Sequence, residues 1–193
     1  MLEQQITIVI LAGGRGRRMD EQDKGLVELE GKPLVAHVID AISKQNKNIL
    51  INANQNLSRY QAYGCPVVSD QMSGFQGPLA GMATAMAEVT TPYILTLPCD
   101  APYIAENYQQ VMWSALESQQ TDLVVAHDGS RLQSVHALLP VSLYDDLTNY
   151  LQGNNRRVDT WYSQYALGLL DCSDIAEMFS NLNTREQLEA YKL

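Results

Sequence analysis

Four short apolar runs, residues 6–12, 49–53, 66–69 and 93–97, each bounded by Gly, Pro, Asn or Asp, constrain the fold more than any other feature of this chain. Runs of that length without polar alternation read as strands buried on both faces, and such strands belong to parallel sheets with helices on each side. Helical patterns lie between them. Residues 33–45 place Leu34, Val38 and Ile42 four apart with Pro33 suited to the first turn, and residues 79–89 form a second pattern. Residues 123–127 and 133–139 flank Asp128-Gly129, a turn signal that predicts a hairpin and hence one antiparallel pair within the sheet. Further helices are expected over residues 106–120, over 143–152 between the caps Ser142 and Gly153, and over 185–191 behind Asn183-Thr184. No repeat, low-complexity tract or linker-like shift divides the chain, so one α/β domain over residues 1–193, with helices on both faces of a mixed sheet, is the predicted architecture.

Composition narrows the function classes. At 193 residues, 46% hydrophobic and 18% charged, the chain fits one well-buried domain and neither a membrane protein nor a disordered one. Its net charge of −9 repels a phosphate backbone and argues against nucleic-acid binding. Against that acidic body, Arg15, Arg17, Arg18 and Lys24 crowd into one segment, where a small anion is expected to dock. The three cysteines, Cys65, Cys99 and Cys172, are widely spaced and odd in number, which indicates neither a disulfide framework nor a zinc site and fits a reducing compartment. The apolar stretch at residues 6–12 follows Glu3 and is too short for a signal core or membrane span, so a cytoplasmic location with no membrane contact is expected.

The first strand runs directly into Leu11-Ala12-Gly13-Gly14-Arg15-Gly16-Arg17-Arg18-Met19, where glycines permit close backbone approach and arginines offer charge-assisted donors to phosphate. This is neither of the two commonest phosphate motifs: Gly31-Lys32 is followed by Pro33, and Met19 stands where G-x-G-x-x-G needs its last glycine. The loop alone leaves nucleotide and reaction open. Asp100 ends the strand at Pro98-Cys99-Asp100, either facing a ligand crevice as a magnesium-binding carboxylate or forming the Ala101-Pro102 turn. Asn52 and Asp70 also end strands, where they either meet a bound base or form turns. Gly77-Pro78-Leu79-Ala80-Gly81 opens a helix whose amides can approach a phosphate, or simply allows close packing. Asn183 is an apt helix cap with Glu186. Arg156 and Arg157 read as a solvated pair, and His37, His127, His136 and Cys99 lack metal-ligand or redox spacing.

Leu11-Ala12-Gly13-Gly14-x-Gly16-x-Arg18-Met19, Asp23-Lys24-Gly25-Leu26 and Gly31-Lys32-Pro33-Leu34 together resemble the signature of the molybdenum cofactor guanylyltransferases. The resemblance continues through Asn52-Ala53-Asn54, Ser69-Asp70, Gly77-Pro78-Leu79-Ala80-Gly81, Pro98-Cys99-Asp100-Ala101-Pro102 and Phe179-Ser180-Asn181-Leu182-Asn183-Thr184, which is nearly the whole chain. Asp20 departs from it, standing where the family usually has glycine. The resemblance implies a Rossmann-like nucleotidyltransferase fold that joins GMP from GTP to the terminal phosphate of molybdopterin, or of its molybdenum-loaded form, with release of pyrophosphate. It implies Mg²⁺ as cofactor, with Lys24 and Asp100 catalytic and Asp100 the metal ligand. It places Leu11, Ala12, Gly13, Lys24, Asn52, Asp70 and Asp100 on the nucleotide, and Gly77, Pro78, Leu79, Gly81, Asn181 and Asn183 on the second substrate. Transient contact with cofactor-loading proteins or molybdoenzyme apoproteins follows from the same likeness. Competing readings are a molybdopterin cytidylyltransferase, a sugar-phosphate nucleotidyltransferase, and a noncatalytic module that delivers the molybdenum cofactor.

Overall fold

The computed structural model describes residues 2–13, 23–71, 77–180 and 182. Gly14, Arg15, Gly16, Arg17, Arg18, Met19 and Asp20 of the glycine-arginine loop, with Asn181, Asn183 and the helix expected at 185–191, lie outside the described residues. In chain order the elements are β1 (Ile6–Leu11), a small hairpin of β2 (Glu28–Leu29) and β3 (Lys32–Pro33), α1 (Leu34–Ile42), β4 (Ile49–Asn52), α2 (Leu57–Gln61), β5 (Val67–Val68), α3 (Pro78–Glu88), β6 (Tyr93–Pro98), α4 (Tyr108–Gln119), β7 (Leu123–His127), β8 (Leu132–Pro140), α5 (Tyr144–Gln152), α6 (Val158–Tyr162) and β9 (Leu167–Asp171).

Seven strands form one sheet in the order β5-β4-β1-β6-β8-β7-β9. The pairs β4·β5, β1·β4, β1·β6 and β7·β9 are parallel, and β8 runs against both β6 and β7. The period of two along each central strand sorts its apolar residues between two cores. Ile6, Ile8 and Ile10 of β1, Ile49 and Ile51 of β4, and Leu95 and Leu97 of β6 face one layer, closed by Val35, Val38 and Ile42 of α1 and Tyr108 and Met112 of α4. Val9, Leu50 and Ile94 face the other, closed by Leu79, Met82 and Met86 of α3, Leu147 and Leu151 of α5, and Trp161 and Tyr162 of α6. The chain steps one way along the sheet from β1 to β4 and back from β5 to β6, so α1 and α3 must take opposite faces if both crossovers are right-handed.

Local chemistry explains the irregular points. The β7·β8 register shifts between Val125 and Ala126. Nearby β8 carbonyls are satisfied by side chains instead: Thr96 Oγ1 donates to Val135 O at 2.6 Å and the Tyr162 hydroxyl to Ser134 O at 2.8 Å. At the open edge, the Gln119 side chain of α4 bonds both outward groups of Leu169 in β9, donating to its carbonyl at 2.9 Å and accepting from its amide at 3.0 Å.

Several expectations need correction. The run at 66–69 is a two-residue edge strand, half-buried, because β5 has a neighbour on one side alone. Ser142 is not the cap of α5: a 3₁₀ turn, Val141–Leu143, leads into the helix and Leu143 takes the cap position. Pro33 precedes α1 as its cap residue and pairs in the small hairpin. Among the described residues no helix is long and apolar enough to cross a membrane, and all three cysteines are free thiols.

Candidate active site

The strand order puts the carboxyl ends of β4, β1 and β6 side by side: Leu11 registers with Asn52 on one flank and Pro98 on the other. The backbone stays paired beyond those ends, with Ala12 N donating to Asn52 O at 2.8 Å and Cys99 N to Leu11 O at 3.2 Å. This is the edge at which open α/β sheets bind ligands. The loop residues Ala12 and Gly13, the base-site candidate Asn52 and the carboxylate Asp100 therefore leave the sheet together.

Lys24 reaches this edge from a 3₁₀ turn, Lys24–Leu26, and its Nζ donates to Asp100 Oδ2 at 3.2 Å. Asp100 is 7% exposed, so the ammonium offsets the cost of a nearly buried negative charge. The turn is held from below. The Asp23 carboxylate accepts from the Tyr60 hydroxyl at 2.5 Å and from Asn56 Nδ2 at 3.0 Å, so it is committed to α2 and its cap rather than to the turn that it precedes. Gly25 lies so close to this anchor that a Cβ there would sit 2.6 Å from the Tyr60 hydroxyl and 3.2 Å from the Cys99 side chain. Burial pushes the Tyr60 phenol up, with Cys99 and Asp23 adding to it, and burial pushes the Cys99 thiol up, so both stay protonated at neutral pH.

On the other side of Leu11, Asn52 and Asp70 meet directly. Asn52 Nδ2 donates to Asp70 Oδ1 at 2.8 Å, and Asn54 Nδ2 donates to Oδ2 at 2.7 Å. Asn52 is 2% exposed, and its Oδ1 fills the space beside Gly81 of α3, where a Cβ would stand 2.4 Å from it. Gly81 thus lies against the Asn52 amide, while Gly77, at positive φ, is the cap residue of α3 and Pro78 takes its first turn. Leu79 is fully buried in the α3 core, which leaves its main chain as the part able to meet a ligand.

The asparagines at 181 and 183 are not described, but Leu182 between them is fixed at the site: its amide donates to Asp100 O at 3.1 Å, and its side chain is buried with Leu29 and Leu34. Phe179 packs edge-on against His136, ring centroids 4.8 Å apart, and His136 does the same against Tyr108 at 5.9 Å. Burial alone drops the His136 pKa to about 3, so this imidazole is neutral packing. His37 bonds Leu29 O through Nε2, and His127 Nδ1 accepts from Gly129 N, both structural uses. Arg156 bonds the carbonyls of Leu151 and Asn155, and Arg157 pairs with Asp159, which ties both to local structure.

Among the described residues no group of three or more His, Cys, Asp or Glu gathers into a metal cage. Asp100 is one carboxylate whose two oxygens offer about four acceptor sites, of which Lys24 uses one. That donor set suits a hard cation brought in by ligand phosphates, because Mg²⁺ binds through one or two carboxylates plus substrate oxygens and water. Asp23, Asn54 and Tyr60 escaped the sequence reading as site-building residues. Asn54 carried a signal, since it stands two residues beyond Asn52 at a strand end, while nothing local ties Tyr60 to Asp23.

The family model described as the MobA-like NTP transferase domain matches residues 8–166. A molybdenum cofactor guanylyltransferase of Shewanella sediminis is 46% identical over 183 residues, covering 95% of this chain and 93% of the relative. One from Shewanella loihica is 45% identical with the same coverage of both chains. Among solved structures, the molybdopterin-guanine dinucleotide biosynthesis protein A of Archaeoglobus fulgidus superposes with a TM-score of 0.79 at 18% identity, covering 95% of each chain. The 4-diphosphocytidyl-2C-methyl-D-erythritol synthase of Anaerococcus prevotii gives 0.69 at 12% identity, covering 97% of this chain and 96% of its own. At those identities the two structures speak to the fold alone.

Proposed function

The chain belongs to the MobA-like NTP transferase family, and from that membership we propose that it transfers GMP from GTP to the terminal phosphate of molybdopterin or its molybdenum-loaded form. The products are the guanine dinucleotide cofactor and pyrophosphate. The observation that carries this reading is near-half identity, along 95% of the chain, to relatives named for that activity. The site geometry supports it: an Asn-Asp pair suited to guanine and a Lys-Asp pair suited to phosphates flank the same strand end.

The attacking group is a phosphate monoester, already an oxyanion at neutral pH, so the reaction needs alignment and charge neutralisation rather than a base. Gly13 and Ala12 give the triphosphate a close backbone approach between β4 and β6. The Lys24 ammonium, paired with Asp100, stands where it can meet incoming phosphates and offset the charge that grows on the leaving pyrophosphate. Asp100 is the residue that would hold Mg²⁺. When bound, that ion supplies charge neutralisation and a template for the phosphate oxygens. On the base side, Asp70 accepts from the ring and exocyclic N–H groups of guanine, with Asn52 beside it. Gly77, Pro78, Leu79, Asn181 and Asn183 are assigned to the acceptor side, whereas Gly81, expected there too, lies against the Asn52 amide and is assigned to the base side. A cytoplasmic location and transient contact with molybdoenzyme apoproteins complete the proposal.

Incubation with purified molybdopterin, Mg²⁺ and each of GTP, CTP and ATP, with mass detection of dinucleotide and pyrophosphate, tests this reading. Product from GTP alone is expected; equal turnover with CTP refutes the guanylyl assignment, and no turnover with any nucleotide refutes the reaction.

A further inference from the structure

Asp70 belongs to the weakest edge of the sheet. It follows a two-residue strand, it is half-buried, and a carboxylate rotates easily about its last torsion. Among the described residues, Asn52 restrains one of its oxygens and Asn54 restrains the other. The Asn54 side chain grips Asp70 twice: Nδ2 donates to Oδ2 at 2.7 Å, and Oδ1 accepts from the Asp70 main-chain amide at 2.9 Å. The same Nδ2 lies 3.4 Å from Gly13 O, and a Cβ on Gly13 would stand 2.8 Å from it, so the grip is braced against the segment that enters the phosphate loop.

We propose that Asn54 is a positioning residue for base selection: by holding the Asp70 carboxylate plane it lets both oxygens meet two adjacent N–H donors of a purine. Guanine presents that pair, its ring N–H and its exocyclic amino group; hypoxanthine keeps the ring N–H and lacks the amino group; adenine offers an acceptor at the ring nitrogen. With Asn52 using an acceptor site on Oδ1 and Asn54 one on Oδ2, each oxygen keeps acceptor capacity for a base, and discrimination between guanine and hypoxanthine depends on the carboxylate plane being fixed. Asn54 itself is assigned no contact with the base. The inference rests on the proposed use of GTP with Asp70 as base acceptor.

The test measures kcat/KM for GTP and ITP with molybdopterin as acceptor, in the wild-type protein and in Asn54→Ala, with circular dichroism confirming the fold and Asn54→Ser used if the alanine variant does not fold. The wild-type protein is expected to favour GTP by at least about tenfold, the worth of one hydrogen bond to a charged acceptor. In the variant, kcat/KM for GTP should fall about tenfold while that for ITP changes less than about threefold, so the preference collapses. Parallel loss with both nucleotides, or no loss with either, overturns the role given to Asn54. A wild-type protein that uses GTP without preferring it to ITP overturns Asp70 as the base acceptor, and one that makes no dinucleotide from GTP overturns the proposed reaction, so the failures are told apart.

Discussion

Replacing Gly81 by alanine should disable guanine selection while leaving the protein nearly as stable as before. The added methyl carbon would stand 2.4 Å from Asn52 Oδ1, 2.9 Å from Leu11 Cδ2 and 3.1 Å from Asn52 Cγ, and at 2.4 Å something must move. The Leu11 side chain has rotamer freedom to yield. Asn52 is 2% exposed, so its amide turns away within the protein and gives up its 2.8 Å bond to Asp70. A hydrogen bond to a charged acceptor is worth about 1.5–3 kcal/mol. Against that loss, Gly to Ala inside a helix returns about 1 kcal/mol of propensity. The net destabilisation is about 1 kcal/mol, which for a chain of this size lowers Tm by about 2–4 °C. The effect on kcat/KM for GTP should be about tenfold or more, since Asn52 and Asp70 lose their alignment together. Differential scanning calorimetry and the dinucleotide assay read the two effects separately. Wild-type kcat/KM in the Gly81→Ala protein would refute the argument that Asn52 is seated by Gly81 for base recognition.

Lys24→Ala should raise KM for GTP and lower kcat by about tenfold or more, with a folded domain whose Tm falls modestly because the nearly buried Asp100 loses its ammonium partner, whereas Arg156→Ala, which loses bonds to local carbonyls, should leave both kinetic constants near wild type. Asp100→Asn should retain the fold and lose transfer by about 100-fold or more, with partial recovery at raised Mg²⁺; a magnesium response identical to wild type would defeat Asp100 as the metal ligand. The buried His136, its pKa dropped to about 3, takes no proton in the folded state while the unfolded chain protonates near its ordinary value of about 6.5. Its contribution to stability is therefore full above about pH 6.5 and falls as pH drops from there toward 3, by about 2 kcal/mol at pH 5. Denaturation by urea at pH 7 and pH 5 should show that difference shrink by about that amount in His136→Phe, and an unchanged difference would contradict the assignment.

The central strands were legible because Ile6, Ile8 and Ile10 and the matching residues of β4 and β6 are apolar on both faces, and Asp128-Gly129 announced the hairpin. Of the elements that escaped notice, β9, α2 and α6 did so for plain physical reasons. β9 lies at an edge, alternates poorly in burial, and depends on Gln119 from another element to close its outer side. The helices α2 and α6 have five residues each, too few for a periodic pattern to show. Asn52, Asp70, Lys24 and Asp100 were recognisable as polar residues following strands or the glycine loop. What joins them was not: Asp23 to Tyr60 spans 37 residues and Asn54 to Asp70 spans 16, distances across which pairing is decided by topology and not by local pattern. Gly81 illustrates the same limit, since its missing Cβ is explained by Asn52 on a neighbouring strand rather than by its own helix.

The most direct test of the account follows the fate of the α-phosphorus. With molybdopterin as acceptor, GTP labelled at the α-phosphate should place its label in the dinucleotide and none in pyrophosphate, and GTP labelled at the γ-phosphate should place it all in pyrophosphate. Label from the γ-phosphate appearing in the pterin product, or α-label recovered as unchanged GTP bound to the protein without turnover, would contradict guanylyl transfer.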